Sequence, residues 1–240
     1  MGLIDAKFPA QLNYVCVEGV IGAGKTSLCN LLSERFEARL VLEEVDENPF
    51  LSRFYTDRSS FAFQTQLWFL LSRYQQLSVM VAQQDLFYKL TLSDYVFAKD
   101  RIFASINLRD DELQLYNNIA GVLETSAPKP DLIVYLQAST DVLMKRIEKR
   151  GRYFEFNIDP DYVDMLNQAY NHYFFHYNSS PLLIINTNDI DFVNDIQDLQ
   201  ELIDQIVSIK SGTQYYHPLG SKNRLLIEER QAAHKTVSKQ

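Results

Sequence analysis

Apolar and polar positions along the chain follow two rhythms in alternation. Short continuous apolar runs give way to stretches in which apolar residues recur every three or four positions, the signatures of buried strands and of helices. Residues 14–18 (YVCVE) form the first run, followed at once by a glycine loop and a helix predicted from about residue 26 to 36. Residues 40–43 (LVLE), 90–94, 131–136 (DLIVYL) and 182–186 (LLIIN) read as four further strands. Residues 60–87 lack Gly and Pro, are rich in Phe, Leu and Gln, and read as one long helix. Residues 109–124 are helical until Pro128 and Pro130 break the chain. Thr140 is placed to cap a helix running to Arg150, Asp159-Pro160 opens another through Tyr177, and 195–209 forms the last. This alternation predicts an α/β fold: a five-stranded parallel sheet with helices on both faces and ligands at the carboxyl ends of the strands.

The pattern assigns residues 1–211 to one domain and leaves 212–240 as a polar tail, richer in Lys and Arg than in acid, expected to be mobile. The first ten residues, MGLIDAKFPA, lack a secretory apolar stretch, and Ala6 stands where a myristoylation signal wants Ser or Thr. They read as a short untargeted arm. No apolar run is long enough to cross a bilayer, so the expectation is a cytoplasmic protein without a membrane partner. Two scattered cysteines, Cys16 and Cys29, fit buried thiols better than a metal site or a disulfide framework. The net charge of −8 carries no basic stripe before the tail, which argues against long nucleic acid as a partner. A single nucleotide needs only a few well-placed cations and stays open.

Gly19-Val20-Ile21-Gly22-Ala23-Gly24-Lys25-Thr26 fits the phosphate-binding pattern G-x-x-x-x-G-K-[ST], between a strand and a helix as the motif requires. Glycines let backbone N–H groups turn inward around phosphates, and the helix that follows, with Ser27 in its first turn, adds its positive end. Lys25 is expected on the β- and γ-phosphates of ATP, and the Thr26 hydroxyl on Mg²⁺. No glycine is preceded by Asp at the spacing of a GTPase switch, and Asn-Lys-x-Asp is absent; no strand ends in the Asp-Glu of an ATP-driven motor. In KRIEKRGRYFE, Arg146, Arg150 and Arg152 run off a helix end into a loop opened by Gly151. Beside a phosphate loop they read as an arginine-rich lid, about residues 145–159, that closes on a transferring phosphoryl group.

Five landmarks in order resemble the deoxynucleoside kinase family, a branch close to thymidylate kinases. They are the phosphate loop; Glu43-Glu44-Val45; the long helix with Gln66 and Arg73; the segment from Ser93 to Ala104 ending Ile-Phe-Ala; and Arg-Ile-x-x-Arg-Gly-Arg. The resemblance implies that Glu43 takes the proton from the 5′-hydroxyl of a deoxynucleoside as the alcohol attacks ATP. It implies that Gln66 and Arg73, two helical turns apart, read the base, with Phe103 and Trp68 around it, and that Tyr55 and Glu155 hold the sugar 3′-hydroxyl. It also implies a homodimer joined through long helices.

Two positions depart from the family. Ser93-Asp94-Tyr95 stands where an acid–Arg pair is usual, which leaves Asp94 as the carboxylate beside the metal and substrate. Lys99 falls where many members place a base-reading Asp, and a cation there suits purine acceptors. Together these features point to a purine deoxynucleoside kinase of nucleotide salvage. Two other readings compete: a thymidylate-type monophosphate kinase, which would need further cations such as Arg53, Arg58 or Arg101, and an ATP-binding regulatory module without kinase activity.

Overall fold

The structure is a computed structural model describing residues 8–82 and 88–220. Its centre is a parallel sheet in the order β2-β3-β1-β4-β5-β6. The strands are β1 (Tyr14–Glu18), β2 (Arg39–Val41), β3 (Thr91–Ser93), β4 (Leu132–Gln137), β5 (Leu182–Asn186) and β6 (Thr213–Tyr216). The helices are α1 (Lys25–Phe36), α2 (Leu51–Thr56), α3 (Arg58–Ala82), α4 (Lys99–Asn107), α5 (Asp110–Glu124), α6 (Thr140–Arg150), α7 (Pro160–Phe175) and α8 (Ile196–Ser208). Continuous apolar runs become strands because both faces are covered: every residue of β1 and the first five of β4 are buried. The expected end of the long helix, at 83–87, lies outside the described residues, as do the first seven residues of the arm and 221–240 of the tail.

The sheet has six strands, not the five expected. Thr213–Tyr216 comes from the stretch read as tail and pairs in parallel with β5, Leu182 opposite Thr213. Its first three side chains are exposed, so it is an edge strand held by backbone hydrogen bonds and carries no apolar run to betray it. The Tyr216 hydroxyl adds a bond to Glu201 of α8 at 3.0 Å. Two helices, α2 and α4, carry no sequence signal, because each is too short to show a periodicity.

Side-chain capping differs among the helix starts. Asp159 caps α7 where Asp159-Pro160 predicts a helix start, and Asp195, expected as the first residue of the last helix, caps α8 instead; both carboxylates accept backbone N–H from the first turn. Thr140 does not cap α6; its hydroxyl donates to Asp164 Oδ1 at 2.7 Å, and Ser139 takes the capping position. Residues 145–159, expected as a lid, are the last turns of α6, a left-handed Gly151 (φ 68°), a short 3₁₀ turn over Tyr153–Glu155 and the approach to α7. No helix among the described residues is long and apolar enough to cross a membrane. Cys16 and Cys29 are both free and buried.

At the amino ends of the strands, Asp131 Oδ2 accepts the N–H groups of Asn13 (2.7 Å) and Tyr14 (2.9 Å), pinning the start of β1 to β4. Asp131→Ala leaves both donors without their carboxylate and should destabilise the fold by about 2 kcal/mol. Urea denaturation should show the loss as a lower midpoint at unchanged slope. An unchanged midpoint would mean that water replaces the carboxylate at no cost.

Candidate active site

Three strands bring their carboxyl ends to one place. Cys16 of β1, Ser93 of β3 and Val41 of β2 lie level in the register of the sheet. Asp94 stands one residue beyond that level, and Glu18 and Glu43 two beyond it, so residues far apart in sequence leave the sheet together. Above them opens a cavity of about 260 Å³.

The phosphate loop forms one wall. Gly22 and Gly24 have φ of 85° and 98°, a left-handed conformation that suits glycine. A Cβ would also collide, at 2.8 Å from the Leu143 carbonyl oxygen and from Phe192 Cζ respectively. Val20 and Ala23 are buried behind the turn, which the Ala23 N–H closes onto the Val20 carbonyl at 3.0 Å. Gly19 is tied to the segment after β3 through Glu18, whose buried carboxylate accepts from Gly19 N (3.1 Å) and Val96 N (2.6 Å). Burial pushes the Glu18 pKa up. Ile21, Lys25 and Thr26 face the cavity, and Ser27 follows half-buried on α1. The Lys25 ammonium rests on the Val20 carbonyl at 3.1 Å.

Asp94 joins this wall to the next. Its Oδ2 accepts the Thr26 hydroxyl at 2.5 Å, and its Oδ1 accepts the N–H of Glu43 at 2.8 Å. A hydroxyl and a carboxylate oxygen are the hard donors Mg²⁺ prefers, and that ion commonly takes its other ligands from water and phosphate. The residues present therefore fit a nucleotide-bound Mg²⁺. Tyr95, where the resemblance would place Arg, is buried and outside the cavity; its hydroxyl donates to Gln76 at 2.7 Å, and the Gln76 amide to the Leu42 carbonyl at 3.1 Å.

Glu43 lines the cavity, whereas Glu44 is exposed and accepts from Ser72 at 3.1 Å. Arg73 Nε donates to Glu43 Oε1 at 3.0 Å, with Nη2 closing on the same oxygen. Lys99 Nζ donates to Glu43 Oε2 at 2.8 Å. Burial alone would raise the Glu43 pKa, but Lys99 and Arg73 outweigh it and hold the carboxyl well below the usual carboxylate range. Arg73 pairs through Nη1 with the buried Asp100, which also accepts the Tyr116 hydroxyl at 2.8 Å.

The far end of the cavity is built by α2, α3, α4 and the turn after α6. Gln66 and Arg73 share a face of α3, and both line it. Gln66 Oε1 and Thr65 Oγ1 are buried without a hydrogen-bond partner among the described residues. Tyr55 stacks on Phe154, with centroids 6.0 Å apart. Glu155 beside it takes Arg150 Nη2 at 2.6 Å on both oxygens. Arg152 also lines the cavity, its Nη2 4.0 Å from Asp46.

Several expectations need correction. Arg146 does not face the cavity: it donates to Thr187 Oγ1 (3.0 Å), the Thr187 carbonyl (2.6 Å) and the Ile190 carbonyl (3.4 Å), and so fixes a loop behind the phosphate turn. Lys99 lines the cavity but is drawn to Glu43 rather than held out for a base. Phe103 is in the lining and Trp68 is not; Phe69 takes that place. Arg53, Arg58 and Arg101 lie outside the lining; Arg58 and Arg101 pair with Asp159 (3.2 Å) and Glu124 (2.6 Å). Sequence reading missed Thr65, Phe69, Asp100 and Tyr116. Phe69, three positions after Gln66 and four before Arg73, could have been found from helical spacing. Asp100 had no local signal.

A family model described as "Deoxynucleoside kinase" matches residues 15–210. The chain is 39% identical over 160 residues to deoxyguanosine kinase of Bacillus subtilis (strain 168), covering 65% of this chain and 76% of that protein. It is 31% identical over 210 residues to deoxyadenosine kinase of Lactobacillus acidophilus, covering 82% of this chain and 95% of that one. Among solved structures, deoxyadenosine kinase from M. mycoides with bound dCTP is similar with a TM-score of 0.70 at 25% identity, over 82% of this chain and 100% of that chain.

The cavity makes one prediction through Lys25. Burial and then the charge of Lys99 lower its pKa from 10.5 to about 8. The ammonium is therefore charged below about pH 8 and loses its proton in the empty site above it. Polyphosphate binding favours the charged form, so affinity should fall as pH rises through that value. Calorimetry in buffers of different ionisation enthalpy should show net proton uptake on binding at alkaline pH and little at neutral pH. A proton balance independent of pH would mean that Lys25 stays charged throughout.

Proposed function

Because the chain belongs to the deoxynucleoside kinase family, we propose that it transfers the γ-phosphate of ATP to the 5′-hydroxyl of a purine deoxynucleoside, in nucleotide salvage. The observation that carries this reading is that one cavity holds the phosphate loop's Lys25 and Thr26, the carboxylate of Glu43 and the amide of Gln66, whose buried oxygen has no partner among the described residues. Donor, base and acceptor site are thus contiguous. Lys25 and the N-terminus of α1 hold the phosphates, and Glu43 accepts the hydroxyl proton. Mg²⁺ at Thr26 and Asp94 would neutralise charge on the phosphate oxygens. Arg150 and Arg152 at the rim stabilise the transferring group, with residues 145–159 acting as the lid. Tyr55 and Glu155 hold the sugar.

The Gln66 amide offers one donor and one acceptor, and Thr65 adds a hydroxyl that can do either. Buried polar groups left unpaired are costly, so this end of the cavity is complementary to a polar base edge. Deoxyguanosine and deoxyadenosine kinases are the relatives that support a purine. A monophosphate acceptor is disfavoured, since Arg53, Arg58 and Arg101 line no part of the cavity. The protein is further read as a cytoplasmic homodimer without a long nucleic-acid partner. Exposed Leu115 and Val122 on α5 support a second copy along the long helices.

Competition at equal concentrations of the four deoxynucleosides should show one purine phosphorylated first. Preference for either pyrimidine would refute the purine assignment. Glu43→Gln keeps the shape and removes the base, so kcat should fall by roughly 10²–10⁴ with little change in KM. Gln66→Ala should lower kcat/KM for the preferred substrate by roughly 10- to 100-fold while sparing ATP affinity. A Glu43→Gln protein with wild-type turnover would remove Glu43 as the base.

A further inference from the structure

We propose that Lys99 is a catalytic residue whose ammonium bridges Glu43 and the phosphoryl group as that group passes to the acceptor hydroxyl. The inference rests on the kinase reading above. Lys99 opens α4 and is 3% exposed, with its backbone N–H on the Val96 carbonyl at 3.0 Å. Its Nζ lies 2.8 Å from Glu43 Oε2 and 5.7 Å from the centre of the Phe103 ring. An ammonium so far removed from water must find its partners inside the site.

Glu43 does not depend on this cation alone for its orientation. Arg73 already binds its Oε1 through two nitrogens, and only Oε2 is left to Lys99. Lys99 also lines the same cavity as Lys25. One ammonium thus comes from the phosphate loop and one from α4, the second resting on the carboxylate of Glu43. A phosphoryl group in flight brings further negative oxygens into that cavity, where cations on both sides can neutralise them. Lys25 lies on the donor side of the path, and Lys99, against the base, on the acceptor side.

In the step itself the 5′-oxygen forms a bond to the γ-phosphorus as the bond from phosphorus to the bridging oxygen breaks. The bond's electron pair stays on ADP, and the hydroxyl proton goes to Glu43. Lys99 keeps its protons. As it turns toward the phosphoryl oxygens it leaves Glu43 Oε2, and only the Arg73 contact on Oε1 remains. The carboxylate becomes a better base as the proton arrives.

Wild type, Lys99→Met and Lys99→Arg should be assayed with all four deoxynucleosides. Each should also be titrated calorimetrically with ADP alone and with ADP, aluminium fluoride and deoxynucleoside, the fluoride standing for the phosphoryl group in transit. Lys99→Met should lose roughly 10²- to 10³-fold in kcat, with KM for both substrates within about threefold and the order of base preference kept. Its affinity for ADP should hold within about threefold, while the fluoride complex weakens roughly 10²-fold. Lys99→Arg should recover at least about tenfold of the loss. Near wild-type turnover in Lys99→Met, or equal weakening of both ADP complexes, overturns the proposal. A changed base preference with turnover retained also overturns it and makes Lys99 a base reader. Wild-type protein that phosphorylates no deoxynucleoside would instead sink the kinase reading on which the proposal stands. Should Lys99→Met not fold, Lys99→Gln, polar and of similar reach, supports the same comparisons.

Discussion

The pairing of Glu43 is the interaction on which this architecture turns. A carboxylate with 11% of its side chain exposed, at the end of β2, would be strongly disfavoured alone, and it is matched by Arg73 from α3 and Lys99 from α4. Arg73 is 3% exposed and meets a second carboxylate, Asp100, which Tyr116 of α5 holds in turn. One charge requirement thus locks three helices to the edge of the sheet. Removing a single partner from such a buried group typically costs about 3–5 kcal/mol, enough to make the acceptor side of the cavity rigid. The same contacts keep Glu43 ionised, so it begins as an oriented acceptor for a hydroxyl rather than as a strong base.

Parallel strands make that cluster useful, because all of their carboxyl ends face one way. The phosphate loop, Asp94 and Glu43 follow three adjacent strands and so share one rim. Asp94 is the mechanical link between them. With one oxygen on the Thr26 hydroxyl and the other on the Glu43 N–H, it sets the distance between the group that holds phosphates and the group that receives the acceptor. A shift of β3 by one residue would separate both, which is why register matters more here than any single side chain.

Cations in this chain take their roles from the oxygens they can reach. Arg146 finds backbone carbonyls and becomes part of the scaffold, although it belongs to the same basic run as Arg150 and Arg152. Arg150 is held ready by Glu155, a residue of the same wall. Arg58 and Arg101 meet carboxylates near the surface and drop out of the site. Only the folded arrangement of acceptors separates these cases, since a guanidinium is the same donor in each.

Local rules decided much of this protein in the sequence itself. Continuous apolar runs declared β1 to β5, most plainly β1, β4 and β5, because a strand buried on both faces has no polar side to show. Glycines at the phosphate turn declared the loop because a left-handed backbone closed off by neighbouring atoms admits nothing larger, and the spacing of Gln66 and Arg73 placed both on one helix face. Tertiary structure decided what depends on partners distant in the chain. β6 exists because β5 offers it backbone groups, and its own residues carry no pattern that says so. Lys99 and Asp100 are neighbours in sequence, yet one turns to Glu43 in the cavity and the other to Arg73 behind it. Which way a charged side chain turns is set by where opposite charges lie in three dimensions, and that information belongs to the packing of α3 on α4 rather than to either segment alone.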